Sequence, residues 1–182
     1  MRIQAIILKK IPVREYDELV VCYTKHAGKQ TYRAKSVRRH TSKQASHLDL
    51  LNWADFDLVH SKNSPDESAG NGHPIITSAE SLATFSNLKS SLPALAAAYF
   101  ILECFDRLVF DGETDKKLWD FLTSKLGELD RFAGNNNADW PKITLASKEE
   151  FLDVLGYDSS VSVEELAGMR FRSLQFLKKV VG

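Results

Sequence analysis

Residues 19–37, LVVCYTKHAGKQTYRAKSV, decide the fold of the first part of the chain. The run from Leu19 to Thr24 is β-branched and aromatic, and Ala27 and Gly28 supply a turn signal directly after it. Strand-like sequence resumes at Thr31 and continues to residue 37. This order predicts a β-hairpin between residues 20–25 and residues 31–37.

Three further strands are predicted around this hairpin. Near the start of the chain, Ile3, Ala5 and Ile7 alternate with polar neighbours, although Ile6 and Leu8 make the pattern partly two-sided. Apolar residues at 53–59 mark a fourth strand, and PIITSA at residues 74–79 marks a fifth. Residues 61–73 between these two are polar, and we expect them to form a mobile loop that binds phosphate poorly. Short strands at this density predict a small barrel.

After Ser81 the apolar spacing changes to that of amphipathic helices. Residues 93–110 carry apolar side chains at helical spacing, and Gly112 ends that segment. Residues 114–132 repeat the pattern with Leu118, Phe121 and Leu122 on one face. The second part of the chain is therefore predicted to be a helical bundle.

Two capping boxes predict where later helices begin. In Ser147-x-x-Glu150 and Ser162-x-x-Glu165 the serine can accept a backbone N–H while the glutamate returns to the cap. They predict helices over residues 148–155 and 163–180. The resulting organisation is an α+β chain with a barrel domain over residues 1–80 and a helical domain over residues 81–182.

The composition is that of a globular protein. Of 182 residues, 43% are apolar and 26% are charged, and 9 Gly, 5 Pro and 2 Cys exclude collagen-like and disulfide-rich classes. The chain shows no secretory signal, and its longest apolar run, residues 92–102, is too short to span a bilayer. Cys22 and Cys104 lie far apart without a C-x-x-C motif. We therefore expect a cytoplasmic protein with two buried thiols.

The net charge of zero conceals an uneven distribution. Residues 1–45 contain 11 Lys and Arg against 3 Asp and Glu, whereas residues 61–182 contain 13 against 18. Such a distribution favours a polyanionic partner for one end of the chain. A solvated basic face is the alternative.

No motif of catalysis or metal binding stands out. The sequence lacks G-x-S-x-G, the P-loop motif and G-x-G-x-x-G, so neither a serine nucleophile nor a nucleotide cradle is predicted. Glu15, Asp17 and Glu18 fit a solvated turn better than general acid–base chemistry. The histidines have no metal-ligand spacing, and we expect a non-enzymatic protein without a metal or other cofactor. The histidines are His26, His40, His47, His60 and His73.

A basic run follows the predicted hairpin. Residues 33–43 read RAKSVRRHTSK and place five cations in eleven residues, beside hydroxyl and amide donors. This combination suits contacts with nucleic-acid phosphates, with plain solubility as the alternative. Tyr23 and Tyr32 either pack in the core or stack on bases. The predicted DNA-binding residues are Lys35, Arg38, Arg39 and Lys43, flanked by Arg33 and Lys29.

An ordered set of short motifs over about 130 residues resembles a known family. The barrel part contributes Glu15-Tyr16-Asp17, Thr24, Gly28, Ala34-Lys35, Arg38-Arg39, Ser42 and Leu48. The helical part contributes Ala98-Tyr99, Glu103, Asp106, Leu118, Phe121-Leu122 and Leu126. Together they resemble RecO, the bacterial family of recombination mediators in DNA repair.

This resemblance implies a fold and a function. It implies an OB-fold barrel joined to a helical domain, and a protein that binds single- and double-stranded DNA and anneals complementary strands. It also implies partnership with a RecR-like protein, contact with the acidic tail of single-strand-binding protein, and help in loading RecA. A protein-interaction adaptor and an RNA-binding OB-fold protein are the alternatives, because neither is excluded by the residues.

The chain departs from the family pattern at two places. Ser36 and Val37 stand where the pattern has Gly-Ala, so the loop lacks a residue that readily takes positive φ. Many family members carry a four-cysteine zinc site after a Leu-Gly-Tyr segment, but Asp158 follows Tyr157 here. The resemblance is therefore to a short, zinc-free version, which we expect to fold without zinc.

Overall fold

The computed structural model describes residues 2–59, 72–134 and 138–181. The chain forms two compact units, the first of residues 1–84 and 111–114 and the second of residues 85–110 and 115–182. The first unit thus extends beyond residue 80 and takes in a short segment that comes later in the chain. The predicted loop at residues 61–73 lies almost entirely outside the described residues.

The first unit is a closed five-stranded barrel. Its strands follow the order β1-β2-β3-β5-β4, and β1 pairs with both β2 and β4. The pair β3–β5 is parallel and the other pairs are antiparallel. This topology confirms the predicted OB-fold barrel. The strands are β1 (Arg2–Pro12), β2 (Glu18–Thr24), β3 (Gly28–Ala34), β4 (Trp53–Val59) and β5 (Ile75–Ala83).

Alternating side chains fill the barrel. On β4, Ala54, Phe56 and Leu58 are buried while the residues between them are partly exposed. On β1 the pairing with β2 shifts register between Ile7 and Lys9. Residues 5–8 are all buried, and Ala5 and Ile7 among them belong to the barrel core. The predicted hairpin forms, but it pairs from Glu18↔Ala34 to Thr24↔Gly28, so β3 begins and ends three residues earlier than predicted.

Residues 111–114 lie against the end of this hairpin. Gly112 N–H donates to the carbonyl oxygen of Lys29 at 2.9 Å, and the Tyr23 hydroxyl donates to the carbonyl of Glu113 at 3.3 Å. A Cβ at Gly28, whose φ is +65°, would lie 2.1 Å from the Glu113 carbonyl oxygen. Only glycine therefore fits this position without displacing the segment.

The second unit is helical. Helix α2 contacts each of the other helices, and its alanine-rich face is buried. Phe105, Phe121 and Phe151 form an aromatic cluster with ring centroids 5.4–6.3 Å apart. The helices are α1 (Ser86–Ser90), α2 (Leu92–Leu108), α3 (Lys116–Ala133), α4 (Trp140–Val154), α5 (Val163–Ala167) and α6 (Arg172–Val181).

The first capping-box prediction is wrong, whereas the second gives the correct start, Val163 after Ser162, but the wrong length of its helix. Ser147 lies inside α4, where its hydroxyl donates to the Ile143 carbonyl, and the helix begins at Trp140. The side chain of Asp139 caps α4 by accepting from Lys142 N–H, and a proline occupies the first turn. The helix predicted over residues 163–180 is divided into α5 and α6, because Gly168 takes a φ of +65° and ends α5.

A carboxylate of α2 caps α6 from outside. Glu103 accepts from the backbone N–H groups of Arg172 and Ser173, at 3.1 and 2.9 Å, and forms an ion pair with Arg107. The N-terminus of a helix leaves such N–H groups without intrahelical partners. Glu103 supplies those partners and thereby joins α2 to α6.

The described residues contain no helix that is both long and apolar enough to cross a membrane. Cys22 and Cys104 are free thiols at 0% exposure, one in each unit.

Candidate nucleic-acid interface

The predicted cations lie mostly in one loop, residues 35–43, which we call the basic loop. Strand β3 ends at Ala34 rather than at residue 37, because Ser36 takes a positive φ of 54° and turns the chain. Val37 is buried at 3% exposure and anchors the loop in the barrel core. The cations Lys35, Arg38, Arg39 and Lys43 are all exposed.

The basic loop is fixed to residues 13–17, the β1–β2 loop. The backbone N–H of Arg38 donates to the Tyr16 carbonyl at 3.0 Å. The Arg38 guanidinium donates to the carbonyls of Glu15 and Arg14, at 3.2 and 3.4 Å, and its side chain remains 42% exposed. The guanidinium carbon of Arg39 lies 4.9 Å from the centroid of the Tyr16 ring. The two loops therefore form one continuous cationic surface.

Asp17 joins the barrel to the basic loop. Its carboxylate accepts from the Arg33 guanidinium at 2.6 and 3.2 Å and from the Ser36 N–H at 2.7 Å. Burial raises the pKa of Asp17, but the Ser36 N–H and the Arg33 guanidinium act in the opposite direction and prevail. The pKa therefore lies below its ordinary value, and Asp17 is ionised at neutral pH.

The acidic trio is not a solvated turn. Glu15 is exposed, but the side chains of Asp17 and Glu18 are only 13% and 11% exposed. Glu18 pairs with Lys10 at 3.2 Å and lies 4.0 Å from Arg38. Two of these acids thus hold cations in place.

Arg33 and Lys29 have a different position from the other predicted cations. The Arg33 side chain is 6% exposed and paired with Asp17. The Lys29 side chain is 10% exposed, and its Nζ lies 3.3 Å from an Asp111 oxygen. The structure brings together the four cations of the basic loop, whereas these two flanking residues lie on β3, buried and paired with carboxylates.

The exposed aromatic side chain at this surface is not one of the two tyrosines considered from the sequence. Tyr23 is 1% and Tyr32 is 4% exposed, and Tyr32 packs edge-on against Phe56. Both tyrosines therefore pack in the core, which was one of the two alternatives that their sequence left open. Tyr16 is 39% exposed and lies beside Arg39. The sequence signal for an exposed Tyr16 was its position between two acidic residues in a predicted turn.

Metal coordination finds no support in the part of the chain that the structure describes. No group of three or more His, Cys, Asp or Glu side chains converges there. The surface presents guanidinium and ammonium donors around one phenol ring, together with the exposed carboxylate of Glu15. Chemically, such donors can hold an anionic polymer.

The barrel topology and this surface define an OB-fold protein with a cationic face built from two loops. Residues 1–65 match the family model described as "Recombination protein O N terminal". The chain is 29% identical over 157 residues to the DNA repair protein RecO of Roseiflexus sp. (strain RS-1), covering 86% of this chain and 50% of that protein. The family model and this relative support assignment of the chain to the RecO family.

Two other relatives agree with this assignment. The DNA repair protein RecO of Dehalococcoides mccartyi (strain BAV1) is 30% identical over 127 residues, which cover 70% of this chain and 47% of that protein. The protein of the same name from Geobacter metallireducens is 25% identical over 160 residues, covering 88% of this chain and 60% of its own length. The chain thus spans about half the length of the first relatives it matches.

Proposed function

We propose that this chain acts in DNA repair as a non-enzymatic recombination mediator that binds DNA through the basic loop and the β1–β2 loop. The observation that carries the proposal is the placement of four exposed cations, Lys35, Arg38, Arg39 and Lys43, in one fixed loop. Its relatives carry the name DNA repair protein RecO, which supports the biological role.

Annealing of complementary strands is the activity we propose for this surface. Two strands repel each other through their phosphates, and a protein that neutralises phosphates on both allows the bases to meet. This requires no nucleophile or proton transfer. The cations can therefore supply the effect by position and charge alone.

The proposed partners follow from the family resemblance. They are single- and double-stranded DNA, a RecR-like protein and the acidic tail of single-strand-binding protein, with help in loading RecA as the outcome. The DNA contact has the support of the cationic surface, and the protein contacts have the support of family membership.

The test is charge reversal at Arg38 and Arg39 together. If four phosphates are neutralised, the logarithm of the binding constant for single strands falls with log[salt] at a slope of about −3. The variant Arg38→Glu/Arg39→Glu should lose most binding and annealing, and its slope should weaken by about 1.4 because two contacts are gone. Affinity should fall similarly for all DNA sequences, since phosphates carry no base information.

A matched control is Lys116→Glu/Lys117→Glu, which reverses two adjacent exposed cations at the start of α3. This control changes the net charge equally and should bind and anneal like the wild type. Equal losses in both variants, or an unchanged salt slope in the arginine variant, would contradict the assignment. A wild-type preference for RNA at every salt concentration would favour an RNA-binding protein instead.

A further inference from the structure

We propose that Tyr16 stacks on a nucleobase and makes the cationic surface favour unpaired strands over duplex. This inference rests on the proposed DNA-binding function and adds base contact to phosphate contact. Tyr16 is 39% exposed at the tip of the β1–β2 loop, and its ring lies 4.9 Å from the Arg39 guanidinium carbon. Exposed aromatic rings beside cations are the elements with which proteins hold single strands.

The ring is presented from a fixed backbone. Val13 N–H donates to the Asp17 carbonyl at 3.2 Å and closes the β1–β2 loop. The Tyr16 carbonyl accepts from Arg38 N–H at 3.0 Å, and the next residue, Asp17, is held by Arg33 and Ser36. A ring held in this way loses little conformational entropy when a base stacks on it.

Arg39 extends the same surface. Its guanidinium is planar and stacks on aromatic faces while it keeps its charge. The backbone N–H of Arg38 donates to the Tyr16 carbonyl, and its guanidinium donates to the carbonyl of the neighbouring Glu15 while the side chain remains 42% exposed. A base on the Tyr16 ring therefore has cations next to it that can hold the phosphates on either side.

Duplex DNA cannot use this ring in the same way. Its bases are already stacked on each other, so a ring at a loop tip reaches phosphates and sugars only. The cations serve both forms of DNA, whereas Tyr16 serves unpaired nucleotides. A mediator that favours unpaired strands in this way would bind the partners of an annealing reaction more strongly than its product.

The experiment compares three strands that carry equal numbers of phosphates in the contacted strand. The three DNA ligands are single-stranded oligothymidine, a single abasic strand of the same length, and a duplex of that length. Wild-type protein should bind oligothymidine about tenfold more tightly than the abasic strand, as expected for one stacked base. Tyr16→Ala and Tyr16→Leu should lose this preference, and Tyr16→Phe should keep it. The salt slope should stay the same in all of them, because no phosphate contact changes.

Tyr157→Ala is the matched control, since Tyr157 is a tyrosine of the helical unit at 49% exposure. It should bind every strand like the wild type. Equal losses on oligothymidine, the abasic strand and the duplex in Tyr16→Ala would overturn the inference, because the ring would then only position Arg39. Wild-type affinity in Tyr16→Ala together with lost binding in Arg38→Glu/Arg39→Glu would overturn the stacking and keep the phosphate contacts. A wild-type protein that binds none of the strands would overturn both proposals.

Discussion

At the scale of single residues, Asp17 shows why a count of cations in the sequence overestimates the exposed charge. Residues 33–43 contain five cations, but one of them, Arg33, is paired with Asp17 in the barrel unit. Because hydrogen bonds and the guanidinium lower the pKa of Asp17, this pair is intact at neutral pH and weakens only on acidification. The sequence gives the charges, and the partner of each becomes visible only in the folded chain.

Ser36 adopts a strained backbone conformation that a substitution can relieve. The family pattern has glycine here, and the serine nevertheless takes the left-handed conformation at φ 54°. A side chain in that region costs roughly 1 kcal/mol relative to glycine. We expect Ser36→Gly to stabilise the barrel unit by about 1 kcal/mol, since the N–H that binds Asp17 is retained. Hydrogen exchange in peptides from β2 and β3 should slow about fivefold.

Ser42→Gly is the control for this prediction. Ser42 lies in the same loop but is not among the residues with positive φ. Glycine there adds freedom to the unfolded chain without relieving strain, so exchange should stay the same or become faster. Slower exchange in both variants to the same degree would show that the backbone conformation of Ser36 is not the cause.

At the scale of elements, local patterns predicted what local forces decide. The β2–β3 hairpin, α2 and α3 follow from alternation, turn residues and helical spacing over stretches of ten or more residues. The helix start predicted from the capping box at Ser147 is wrong. Asp139 caps α4 and Pro141 lies in its first turn, so the helix begins about two turns earlier. The parallel pairing of β3 with β5 joins strands far apart in sequence, and no local pattern encodes it.

Gly28 lies where the β2–β3 hairpin packs against residues 111–114, so a substitution at Gly28 tests that contact. Gly28→Ala places a Cβ 2.1 Å from the Glu113 carbonyl oxygen at a φ of +65°. Gly168→Ala has the same φ, with nothing within 4 Å of its Cβ. Gly168→Ala should cost about 1 kcal/mol from backbone strain alone. Gly28→Ala should cost about 2 kcal/mol more, because the backbone of the contacting segment has to shift.

Urea unfolding and hydrogen exchange measure both changes. In Gly28→Ala, exchange should rise at Gly112, because the shift disrupts the bond that its N–H donates to the Lys29 carbonyl. In Gly168→Ala it should rise around α5 only. Similar costs in the two variants would mean that residues 111–114 yield easily and do not constrain the hairpin.

At the scale of the whole molecule, the order of a barrel followed by helices could be predicted from the change in apolar spacing near residue 81. The candidate site followed only in part. The basic loop was evident from its composition, but its attachment to the β1–β2 loop depends on Asp17 and on carbonyl bonds to Arg38. This attachment also places Tyr16 next to Arg39. Such contacts link residues 19 to 24 positions apart in the chain, and the sequence does not show that they lie close together in space.

Each unit holds one cysteine at 0% exposure, so the two thiols can report separately on the opening of the two units. Burial raises the pKa of Cys22 and of Cys104, so neither is a reactive thiolate in the folded chain. Labelling with a maleimide, read by peptide mass spectrometry, should be at least about a hundredfold slower than in denaturant, since each thiol reacts only when its unit opens. Each unit has its own core, so Gly28→Ala should accelerate labelling of Cys22 and leave Cys104 unchanged. Equal acceleration at both thiols would show that the units unfold as one, and fast labelling of the wild type would contradict the burial itself.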